Sequence, residues 1–249
     1  MRSPSPLTVR TVFTRLAIIS LLALPLSAQQ PVFFGQNGQG ISSGITPLSG
    51  GSLTVGGGSS TTVSTGVTGV QIGDFIICGI AWGSTSTTVQ SVSDDLSTPT
   101  TYAQDAFRVN TNGSNKWIGV YSGQAVATGD ATVTLTLNAA GAFPTISCSR
   151  WSGVATSTPL DQTGDDDSSG STNPSATTGG ATAQTNELIY GFSYADAVQS
   201  TGASYTTVNN CACGAGDEYQ IGAATQAYTA DFTMASAAWA AVVTTYKHP

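Results

Sequence analysis

The stretch "DFIICGIAW", residues 74–82, decides the fold. It is apolar at nearly every position, which is the pattern of a strand covered on both sides or running through the middle of a sheet. It is also far too short for the roughly 20 apolar residues that cross a bilayer as a helix. A second run of the same kind, "AWAAVVTTYK" (238–247), lies near the C-terminus. Between the two, strands with one buried face recur. In "ATVTLTL" (131–137), Val133, Leu135 and Leu137 alternate with Thr132, Thr134 and Thr136, so one side faces a core and the other faces water.

Working outward, about a dozen such segments follow one another between turn residues, among them "TTVST" (61–65), "KWIGVYS" (116–122), "TISCSRW" (145–151), "ELIYGFSY" (187–194) and "EYQIGAATQAY" (218–228). No segment sustains a 3.6-residue period with caps. Short strands, no long helix and some long returns predict an all-β chain: a two-sheet antiparallel β-sandwich of jelly-roll or Greek-key type. One core suffices for a chain of this size. The expected organisation is a signal peptide over residues 1–28, a Gly/Ser/Gln-rich leader over 29–51, and a single sandwich domain over 52–249.

The signal reading rests on Arg2, Arg10 and Arg15, the apolar run "LAIISLLALPLS" and the small residue Ala28 before "QQP". It predicts a secreted or cell-surface protein with no membrane span once the signal is removed. Removal leaves four basic residues, Arg108, Lys116, Arg150 and Lys247, against 14 acids, and so a net charge of −10. That surface repels phosphate backbones and excludes nucleic acid as a partner. At 8% charged and 40% hydrophobic residues, the chain is not an acidic disordered tail.

The ordered set "GDFIICGIAW", "VQSVSDDLSTPTTY", "GVYSGQAVATGDATVTLTL", "PTISCSRWSGVATSTPLDQTG", "TNELIYGF" and "AWAAVVTTYK" resembles an uncharacterised, jelly-roll-like β-sandwich domain of exported bacterial proteins, often found beside immunoglobulin-like modules. The resemblance covers about residues 52 to 247. It implies a sandwich at the cell exterior and brings no reaction with it. The family pattern near 148–153 is an aliphatic residue, Glu, Tyr, Ser, Gly, whereas this chain has "SRWSG", with Arg150 in place of the acid.

The chemistry-bearing residues divide into a few groups. Asp161, Asp165, Asp166 and Asp167 are the densest acidic run and read as a long loop, either solvated or able to hold calcium, although they do not match the spacing of an EF-hand. Asp94 and Asp95 read as turn caps. Cys78 and Cys148 fall in apolar strands and Cys211 and Cys213 form a C-x-C; in an oxidising compartment they predict disulfides, with three pairings open. Cys78 with Cys148 is the natural core pair, and the C-x-C would close a tight ring. Zinc would need all four to converge.

"GISSG" (40–44) has the letters of a nucleophile elbow but no helix after it. The single histidine, His248, stands next to the C-terminus, which argues against a Ser-His-Asp triad. Paired carboxylates could come from Asp74, Asp94, Asp105, Glu187 and Glu218, all near strand ends. "NGS" (112–114) matches a glycosylation acceptor. Of the four tryptophans, Trp117, Trp151 and Trp239 read as core. Trp82, at a strand end before "GSTST", reads as the exposed one and the ligand-binding candidate. These readings converge on an exported, noncatalytic module acting by contact with extracellular polysaccharide or a surface protein. A glycan-cleaving enzyme using paired carboxylates and a structural or adhesive matrix component are the alternatives.

Overall fold

The computed structural model describes residues 44–84, 86–110 and 115–249. The signal peptide, most of the leader, most of "GISSG" and the "NGS" acceptor therefore lie outside the described residues. Those described form strands and turns with no helix, so the all-β expectation holds, and antiparallel sheets pack face to face.

The first sheet is organised by one strand. β7 (Gly129–Ser152) runs for 24 residues and serves two neighbourhoods. Its first half pairs with β2 (Ser59–Val70) and β4 (Val89–Ser93). Its second half lies between β1 (Thr46–Val55) and β3 (Phe75–Gly83), and the sheet continues through β6 (Lys116–Gln124) to β5 (Ala103–Asn110). The halves meet at an irregularity: Thr62 pairs with Thr136 but Ser60 pairs with Gly141. A strand that bulges in this way can leave one layer and enter the next. "ATVTLTL" and "TISCSRW" are thus two ends of one strand. Val63, Val133 and Leu135 from the first neighbourhood pack on Ile76, Cys78 and Ile80 of β3.

The second sheet has the order β12 (Thr206–Asn210), β13 (Ala215–Gly222), β10 (Glu187–Ala195), β15 (Ala237–Tyr246), β8 (Leu160–Ser171). Tyr190, Phe192, Val242 and Tyr246 face Phe75, Ile77, Ile118 and Val120 of the first sheet. Packing across this interface is close enough to require glycine: a Cβ on Gly79 would lie 2.4 Å from the Phe192 ring. The outer face of the second sheet carries Ile189, Ala241 and Val243. A small sheet of β11 (Gln199–Thr201), β14 (Thr229–Met234) and β9 (Ser175–Thr177) covers it with Ala176, Ala230 and Phe232. This layering explains the two all-apolar runs: both β3 and β15 are buried on both faces.

Cys78 and Cys148 are bonded. They sit directly opposite each other on β3 and β7, with Cα atoms 4.1 Å apart, the close approach of a non-hydrogen-bonded antiparallel pair. Cys211 and Cys213 are bonded to each other in the turn between β12 and β13.

Three local expectations are corrected. Residues 46–51, read as the end of a leader, form the first half of β1. Their glycines are there for close approach: Gly50 has φ +105°, and a Cβ on Gly51 would fall 2.4 Å from the Cys148 carbonyl oxygen. The acidic run, read as a loop, is strand β8, paired along β15; a charged edge strand of this kind resists pairing with further chains. Trp82 is fully buried, because Trp117 stacks on it at 5.7 Å and its Nε1 donates to the Thr87 carbonyl.

Candidate functional site

Three strand ends meet at one end of the first sheet. Phe75 opens β3 opposite Gln124, the last residue of β6, and Ala103 opens β5 opposite Ser122. On β5 the register then slips: Gln104 pairs with Tyr121 and Ala106 with Val120. Asp105 is the extra residue of this bulge, and a bulge re-aims the side chain it carries. Here the carboxylate accepts a hydrogen bond at 2.7 Å from the hydroxyl of Tyr246, on the second sheet.

The opposite wall is the turn between β7 and β8. Ala155 N–H donates to the Lys247 carbonyl, and Lys247 N–H donates to the Pro159 carbonyl, both at 2.8 Å. Within this turn Thr158 has φ +46°, a conformation costly for a β-branched residue and of a kind that concentrates at functional sites. Together these parts enclose a cleft of about 530 Å³. Gln104, Asp105, Gln124, Thr101 and Thr156 supply polar groups, against apolar surface from Phe75, Pro159 and Leu160.

Partial burial pushes the Asp105 carboxyl above its ordinary range, and hydrogen bonds from Ser122 and Tyr246 pull it back. The amide of Gln104 is steadied by its Oε1, which accepts from Tyr121 at 2.8 Å. The cleft is lined by a carboxylate, amides and hydroxyls beside an apolar floor, a set of acceptors and donors suited to a ligand with closely spaced hydroxyls. The combination of apolar surface with a few placed polar groups is the usual make-up of a small-ligand site.

The other rim acids go elsewhere. Asp74 pairs with Arg150 at 2.7 Å, and Arg150 also donates to the carbonyls of Ser49 and Gly69. Arg150, on β7, thus ties β1 and β2 to Asp74 at the entry of β3. Asp94 accepts from the N–H groups of Leu96 and Thr100 and from the Tyr102 hydroxyl and so holds the turn after β4, whereas Asp95 accepts from Thr132 N–H of β7 and ties that turn to the strand. Glu187 is buried and accepts from Gln184 N–H. Glu218 is buried and accepts from Gly202 and Asp231 N–H; burial pushes it up to about 8. Of the five, Asp105 is the one that lines a cleft described here.

The calcium candidates separate. On β8, Asp165 and Asp167 lie opposite Val242 and Ala240 and so face the first sheet, whereas Asp166 lies opposite Ala241 on the other face. Arg108 of β5 donates to Asp167 Oδ1 and, at 2.8 Å, to Asp165 Oδ1. Asp161 accepts from Ala183 N–H. Among the described residues no group of three or more His, Cys, Asp or Glu side chains is placed to hold a metal ion. His248 lies by the Thr185 carbonyl, and Trp117, Trp151 and Trp239 pack in or against the cores.

Sequence reasoning put Asp105 among five acids and missed Gln104, Ser122, Gln124 and Tyr246. One signal was present. In "TYAQDAF" two polar residues, Gln104 and Asp105, stand together where a half-buried strand alternates, and such a break is the mark of a bulge. No protein-family model matches the chain, and no curated protein or solved structure is significantly similar to it.

Proposed function

We propose that the protein is an exported, noncatalytic module that binds extracellular polysaccharide through the Asp105 cleft. The observation that carries this reading is the bulge on β5. It delivers one carboxylate, anchored by Tyr246, into a cleft whose remaining polar groups are amides and hydroxyls. Sugars present vicinal hydroxyls and apolar C–H faces, and the cleft is lined by polar side chains and by apolar surface that can meet both. The five rim acids lie in separate surroundings, which favours binding over hydrolysis by a carboxylate pair. Export is supported by the N-terminal signal pattern and by two disulfides, which persist in oxidising compartments.

The test is depletion of the secreted protein from solution by a panel of insoluble polysaccharides, with released reducing sugar measured in parallel. The wild type binds at least one polysaccharide, Asp105→Ala weakens that binding tenfold or more, and no sugar is released. Release of sugar that Asp105→Ala abolishes would establish the glycan-cleaving alternative. Failure to bind any member of the panel would leave a structural or adhesive role.

A further inference from the structure

The charge of the Asp105 cleft narrows its ligand, a step that rests on the polysaccharide reading above. Among the described residues that line the cleft, Asp105 alone is charged; the rest are amides, hydroxyls, glycine and apolar side chains. Its hydrogen-bond partners, Ser122 and Tyr246, are neutral donors. Tyr246 is fully buried, and burial holds its hydroxyl well above the ordinary phenol range. These two groups orient the carboxylate without neutralising it.

The cations of the described chain are engaged elsewhere. Arg108 pairs with Asp165 and Asp167, Lys116 with Asp196, and Arg150 with Asp74. Lys247 and His248 line a neighbouring cleft across the turn at 155–158, of which Asp105 is no part. Asp196 makes the contrast: it too lines a cleft, but Lys116 is its counter-ion. Asp105 is half-buried and has only water for that purpose. A ligand that fills the cleft removes the water. A neutral sugar replaces it with hydroxyl donors alone and leaves a desolvated charge, which costs free energy. An ammonium replaces it with opposite charge and three N–H donors, in the charge-assisted bonds that are the stronger kind. An anionic sugar adds repulsion. The surroundings act in the same sense, because beyond the signal four basic residues stand against 14 acids, a balance that draws polycations and repels polyanions.

We propose that the Asp105 cleft selects a polysaccharide of amino sugars with free ammonium groups, the ammonium serving as counter-ion to Asp105. An amino sugar carries its ammonium and a hydroxyl on adjacent ring carbons. One ring therefore meets Asp105 and Gln104, which are consecutive on β5 and both line the cleft, while its C–H face lies on the apolar surface of Phe75 and Leu160. Selection comes from the carboxylate, and the amides and hydroxyls set the orientation of the ring.

The experiment measures depletion of the full secreted protein by beads of chitosan, chitin and cellulose, which share a backbone and differ at one ring carbon in carrying ammonium, acetamide or hydroxyl. The wild type binds chitosan at least tenfold tighter than the other two. Asp105→Asn removes that preference, whereas Asp166→Asn, which lowers the net charge by the same amount on an exposed part of β8, retains it. Titration of the wild type with soluble glucosamine and N-acetylglucosamine oligomers gives the same order without any variant. Equal binding of the aminated and acetylated polymers would overturn the charge selection and leave the polysaccharide reading standing. A chitosan preference that survives Asp105→Asn, or that Asp166→Asn abolishes equally, would assign it to overall charge and overturn the site. Binding to none of these polymers, nor to any other polysaccharide, would overturn the selection together with the reading beneath it.

Discussion

Arg108 on β5 reaches across the interface between the two large sheets and donates from Nε at 2.7 Å to Oδ1 of Asp167 on β8. The Asp167 side chain is 2% exposed. Within the acidic run, Asp167 is therefore part of the fold, whereas Asp166, on the other face, is exposed. Asp167→Asn removes a charged acceptor and is expected to lower unfolding stability by about 1.5–3 kcal/mol. Asp166→Asn, on the exposed face, is expected to change it by less than about 0.5 kcal/mol. Urea denaturation of the two variants checks this, and equal losses would mean that the facing of β8 is wrong.

Calcium bears on the same strand. Because Asp161, Asp165, Asp166 and Asp167 do not converge, the thermal midpoint is expected to be the same in calcium and in chelator. A midpoint raised by several degrees in calcium would restore the metal reading.

Gly79 reports the packing of the sheets. Gly79→Ala would place a methyl 2.4 Å from the Phe192 ring, and overpacking of this kind costs about 1–3 kcal/mol. Gly57→Ala, which meets nothing within 4 Å, is the control. Both are measured by thermal unfolding.

Two buried acids set the response to pH. Burial pushes Asp217 up to about 6 and Glu218 to about 8, from unfolded values of 3.8 and 4.5. The folded state then holds protons that the unfolded state has already released, so stability is greatest below about pH 4 for these two groups. It falls as pH rises, through about 6 for Asp217 and about 8 for Glu218. Calorimetric midpoints are expected to decline between pH 5 and pH 8.5, and Glu218→Gln is expected to flatten the part above pH 6.5. A wild-type midpoint that rises across this range would contradict the assignment.

The core disulfide joins residues 70 apart. Cys78→Ala/Cys148→Ala is expected to cost about 2–5 kcal/mol in equilibrium denaturation, and Cys211→Ser/Cys213→Ser less than about 1 kcal/mol.

What was legible in the sequence follows the reach of each interaction. The alternation of "ATVTLTL" and the unbroken apolarity of "DFIICGIAW" are local patterns, and both became strands with the burial they implied. Cys78 and Cys148 were legible as a core pair because both stand in apolar runs. Trp82 was misread because its exposure depends on Trp117 and Phe107, which arrive from β6 and β5. β8 was misread because an edge strand of Asp, Gly and Ser carries no apolar period; its pairing comes from β15, more than 60 residues later. Asp105 stood among five acids of equal standing until Tyr246, 141 residues away, anchored it.

The most direct measurement is hydrogen exchange of the secreted protein with and without the polysaccharide that the panel identifies. The account predicts slower exchange confined to residues 101–105, 122–124 and 155–160, which wall the Asp105 cleft, and loss of that protection in Asp105→Ala. Protection elsewhere on the surface, or protection that survives Asp105→Ala unchanged, would contradict it.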